Sequence, residues 1–108
     1  MQLYQQWKDL ESHQKKNVIK LKGEGLDWKY VADNLKVFDM FLYQVNRAHL
    51  AGRKKMSATQ IVNFLRWDTY ASDNGSTFKV NDHLSPLFAR LTMRIFKDME
   101  GVFEIRGG

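Results

Sequence analysis

Cysteine is absent from all 108 residues, which removes disulfides, thiolate zinc sites and a thiol nucleophile together. Its absence also suits a reducing compartment. No apolar run approaches the roughly 20 residues that a transmembrane helix needs. The opening Met1-Gln2-Leu3-Tyr4-Gln5-Gln6-Trp7 lacks the basic stretch and apolar run of a secretory signal. The expected location is therefore the cytoplasm, with no membrane partner. Glycine-rich phosphate loops, G-x-S-x-G elbows, internal repeats and low-complexity tracts are missing too.

What remains is a folding composition. Hydrophobic residues are 44% and charged residues 27%, so the chain reads as globular rather than disordered. Aromatics at 13% supply bulk for one core, and the length leaves no room for a second. Net charge is +5 and the isoelectric point about 9.6. That balance favours an acidic partner, either nucleic acid or an acidic protein surface.

One domain with an arm is expected: an amphipathic N-terminal arm over 1–25 and a single helical, winged-helix-like domain over 26–108. In the arm, Leu3, Trp7 and Leu10 share helical spacing. A polar stretch from Glu11 to Asn17 carries Lys15 and Lys16, and Val18, Ile19 and Leu21 follow. Packing on the domain is the favoured role of the arm, and binding a partner or forming a homodimer is the other.

Past Gly23-Glu24-Gly25, Asp27 is placed to cap a short helix over Trp28 to Asp33. A longer helix runs from Leu35 to Ala51 on the stripe Leu35, Phe38, Leu42, Val45 and His49, widened by Met40 and Phe41. Gly52 stands where helix ends favour glycine. Ser57 with Gln60 forms an S-x-x-Q capping box for a helix from Ala58 to Tyr70 that buries Ile61, Phe64 and Leu65. Asn63, Arg66 and Thr59 fall on its other side.

A turn around Asn74-Gly75 leads to a short strand, Phe78-Lys79-Val80. The last helix spans about 82–97 on Leu84, Leu87, Phe88, Leu91 and Ile95, with Asn81, Asp82 or Ser85 as cap and the single proline, Pro86, in its first turn. Val102 to Arg106 closes as a strand able to pair with 78–80. The expected fold is mainly α with a small β ribbon. It is a variant winged helix or helix-turn-helix-like domain in the order α-α-α-β-α-β. The link between the last two helices, about a dozen residues, exceeds the three or four of a standard turn.

Function is expected to lie on the last helix. Arg90, Arg94 and Lys97 are spaced i, i+4, i+7 and make a basic row suited to a double-stranded DNA groove. Asn81, Ser85 and Thr92 add neutral hydrogen-bonding groups. Arg53, Lys54 and Lys55 precede the capped helix as a second basic site, and Lys79 and Arg106 flank the ribbon. Trp28, Trp67 and Tyr70 are the residue types that stack on bases, yet at helical spacing they read first as core.

Catalysis is not expected, nor is any cofactor or metal. His13, His49 and His83 are scattered without ligand spacing. Asp98 with Glu104-Ile105-Arg106 resembles a nuclease D…E-x-K arrangement only faintly, because the lysine is missing.

Residues 28–106 carry a longer pattern. It comprises Trp28-Lys29-Tyr30, Val37-Phe38-Asp39-Met40-Phe41, Ala51-Gly52-Arg53, Ser57-Ala58 with Ile61, and Arg66-Trp67-Asp68-Thr69. Phe78-Lys79-Val80-Asn81, Ala89-Arg90 with Met93, and Gly101-Val102-Phe103-Glu104 complete it. The set resembles a family of small, functionally uncharacterised proteins of tailed phages and prophages. Those proteins usually show Asn-Pro where this chain has Asn34-Leu35. The resemblance implies a phage origin and an accessory protein that regulates or inhibits host machinery, and it brings no catalytic residues. The expected function is thus a phage-type nucleic-acid-binding regulator. The second expectation is an inhibitor that binds a host protein such as a defence nuclease or polymerase.

Overall fold

The computed structural model describes residues 4–72 and 84–103, with side chains unassigned from 69 to 72. Among the described residues six α-helices follow one another: α1 (Tyr4–Asp9), α2 (Ser12–Lys22), α3 (Trp28–Asp33), α4 (Leu35–Leu50), α5 (Ala58–Ser72) and α6 (Leu84–Ile95). A 3₁₀ turn, Lys97–Met99, ends the helical part.

The N-terminal arm belongs to the body of the fold. Trp7 is 4% exposed and Ile19 fully buried, so α1 and α2 share the core of the rest. Trp7 meets Phe38 edge-on at 5.9 Å and Phe96 at 6.1 Å. Its indole Nε1 donates to Asp39 Oδ1 at 2.9 Å, which satisfies the one polar atom the ring buries. Lys15 donates to the other oxygen of Asp39 at 3.1 Å and lies 5.7 Å from the centre of the Trp7 ring. The polar stretch after Leu10 is helical from Ser12 onward. The Glu11 N–H donates to Gln14 Oε1 at 2.8 Å, closing the start of α2.

α4 follows its stripe closely: Phe38, Phe41, Leu42 and Val45 are fully buried. α6 crosses the same core, and Phe88 packs on Phe38 at 5.2 Å and Phe41 at 5.3 Å. Asp27 supplies no side-chain bond to the start of α3.

The β ribbon and wing are overturned: no strand forms among the described residues. Val102 and Phe103 are consecutive and both buried, so they do not alternate as a solvent-facing strand would. Their partner is the residue before α5. Met56 and Phe103 form one isolated parallel bridge, and the Met56 N–H donates to the Val102 carbonyl at 3.0 Å. A hairpin wing needs an antiparallel pair, and this contact is neither antiparallel nor extended. The expected strand 78–80 and residues 104–106 lie outside the described residues.

Candidate nucleic-acid interface

The last helix is the centre of the core rather than its edge. Of the twelve residues of α6, only Pro86 and Arg94 are exposed. Ser85 is 7% exposed and Thr92 fully buried, the latter donating to the Phe88 carbonyl at 2.7 Å. Neither is available to a base edge. Arg90 is half-buried. Arg94 donates to two backbone carbonyls, of Lys22 at 3.1 Å and of Glu24 at 2.9 Å. Lys97 stands beyond the helix, because Phe96 is extended at φ −110°, ψ 99°. The i, i+4, i+7 row therefore does not persist as one helical face. α6 thus offers only a narrow outward side, made by Pro86, Arg94 and the half-buried Arg90. Lys79 and Asn81 lie outside the described residues.

α5 has the opposite character. Seven of the eleven side chains described on it are exposed: Thr59, Gln60, Asn63, Phe64, Arg66, Trp67 and Asp68. Val62 and Leu65 hold its inner side in the core. Gln60, Asn63, Phe64 and Trp67 are related by steps of three, four and seven, so they form one outward stripe. Phe64, expected in the core, is 47% exposed, and Trp67 is 68% exposed. Val62 takes the buried place instead.

Local structure sets the basic run Arg53-Lys54-Lys55 at the head of that stripe. α4 ends in a Schellman motif: the Gly52 N–H donates to the His49 carbonyl at 3.0 Å and the Arg53 N–H to the Ala48 carbonyl at 3.1 Å. The motif needs a left-handed residue, and Gly52 has φ +90°. The loop is then tied down at its far end. Lys55 Nζ donates to the Gly101 carbonyl at 2.9 Å, beside the Met56–Val102 bond. Ser57 Oγ accepts the Gln60 N–H at 3.2 Å and caps α5. All three basic residues are exposed, next to the positive end of the α5 dipole.

A second basic cluster was not anticipated. Lys20 and Lys22 occupy the last turn of α2, and the backbone bonds of Arg94 bring its guanidinium there. Lys20 lies 5.7 Å from the Trp28 ring centre. Trp28 is half-buried, whereas the side chain of Tyr70 is not described. Cations just ahead of Gly23 were the available signal, since last turns of helices favour them.

An open cleft of about 690 Å³ lies between α2, α3, α4 and α5. Its charges alternate in sign, with Lys16 and Lys36 among Asp33, Asp39 and Asp68, so it concentrates no field of one sign. His13 is exposed on α2 and His49 half-buried on α4. Tyr4, near the cleft wall, has a phenol pushed above its ordinary range by burial first, then by the charges of Asp39 and Tyr43. Among the described residues no helix is long and apolar enough to cross a membrane. No protein-family model matches the chain, and no curated protein or solved structure matches it either.

Proposed function

We propose that the protein is a nucleic-acid-binding accessory module that meets its ligand through α5 and the basic loop ahead of it. One observation carries this reading: an exposed stripe of amide and aromatic side chains runs directly from three exposed cations on a loop fixed at both ends. Phosphates would sit on Arg53, Lys54 and Lys55, where charge gives affinity without sequence. Gln60 and Asn63 carry the amides that pair with base edges. Arg94, Lys20 and Lys22 add a second anchoring point for the backbone. The tailed-phage resemblance of residues 28–106 adds a regulatory setting to this reading.

The test is fluorescence anisotropy of labelled DNA at low and moderate salt, with wild type and the Arg53→Ala/Lys54→Ala variant. Each lost phosphate contact should lower the log–log salt slope by about 0.7 to 0.9. Equal binding by the variant would remove the loop from the interface. One feature favours the alternative of a host-protein inhibitor. Trp67 and Arg66 are both exposed and are of the residue types that most often anchor protein interfaces. That alternative predicts a stoichiometric protein partner that survives nuclease treatment.

A further inference from the structure

Resting on the nucleic-acid reading above, we infer that the ligand of the α5 face is single-stranded, with Trp67 and Phe64 stacking on its bases. A duplex keeps its base faces inside its own stack. It offers a docked helix only base edges and phosphates. Against such a surface the exposed rings of Phe64 and Trp67 would be pressed onto charged groups and gain little. A single strand presents the π faces that aromatic rings take up.

The geometry suits this ligand in three respects. Phe64 and Trp67 are three residues apart on one helix face, which sets their Cβ atoms about 5–6 Å from each other, within reach of neighbouring bases. From Ser57, at the end of the basic loop, to Trp67 is about 15 Å along the helix axis, room for a few nucleotides between phosphate anchor and stacking rings. Val62 and Leu65 fix α5 to the core, so both rings are carried on a rigid element rather than a loop. Charge complementarity comes from the three cations at one end and from a chain of net charge +5.

The experiment compares a single-stranded oligonucleotide with a hairpin duplex of equal length, using wild type, Trp67→Ala, Trp67→Phe and Arg53→Ala/Lys54→Ala. Circular dichroism confirms that each variant is folded. Tighter binding of the single strand is expected. Trp67→Ala should weaken it about fivefold or more, and Trp67→Phe should keep part of the affinity. Duplex binding should be indifferent to either change at position 67. If duplex binds as tightly as single strand, or Trp67→Ala binds normally while the loop variant is weakened, the stacking inference fails and the nucleic-acid reading stands. If neither ligand binds at low salt, the nucleic-acid reading itself fails.

Discussion

Arg94 reaches across the fold to the carbonyl of Lys22, closing the end of α2 from a helix that lies 72 residues later in the chain. The helix end it meets has unpaired carbonyls and a negative dipole, so a guanidinium there is favourable on both counts. Arg94→Ala should therefore lower stability by about 1 kcal/mol in urea unfolding, the modest value expected of a hydrogen bond at an exposed charged group. An unchanged midpoint would show that water replaces the guanidinium without loss.

Gly23 lies beside that closure for a steric reason. A Cβ there would stand 2.6 Å from both the Ile19 carbonyl and Trp28 Cβ. Neither atom can swing away, so Gly23→Ala should cost about 1–3 kcal/mol by forcing backbone shifts. Thermal unfolding of this single variant is enough to check it.

Asp39 satisfies Trp7 and Lys15 at once. Asp39→Ala leaves a buried indole N–H without its partner, at a cost of about 1–3 kcal/mol. Asp39→Asn should recover part of this, because its amide oxygen still accepts from Trp7. Chemical denaturation of the two variants side by side gives the comparison, and equal losses would mean that the charge, not the acceptor, matters.

Tyr4 gives a pH dependence on the alkaline side. Its folded phenol holds its proton more tightly than the unfolded one, whose pKa is near 10.0. The contribution of Tyr4 is fully present below that value and is lost as pH rises through the folded value. Tyr4→Phe should flatten this part of the alkaline decline and leave neutral pH behaviour alone. The slope of unfolding free energy between pH 9 and 11, roughly the window of tyrosine titration, tests it.

Much of the helix inventory was legible because the signals were local. The α4 stripe, Gly52 and Ser57 each act through residues within one turn, and sequence carries such information directly. The N-terminal arm was half legible. Leu3, Trp7 and Leu10 marked an apolar face, while nothing local showed that Trp7 would reach Asp39. α6 misled for a different reason. Its stripe was read correctly, yet Ser85, Ala89 and Thr92 on its other sides are buried too, because α2, α4 and α5 all pack on it. A sequence gives the direction of a helix's apolar face and not the number of its neighbours. On α5 the error was one of rotation: Val62 faces inward where Phe64 was expected, and the aromatic stripe passed for core. The wing was inferred from alternation over a few residues, too short a run to fix strand pairing.

The central place of α6 governs how the protein comes into being. While a ribosome is still delivering residues 1–72, Phe38, Phe41 and Leu42 have emerged without Phe88 and Leu91 to cover them. No local subset of helices can complete the core, so the nascent chain waits for residue 95 and beyond before it can close. Until then its apolar faces stay uncovered, the condition that chaperones and proteases act on, and closure of the fold is expected as a single late step.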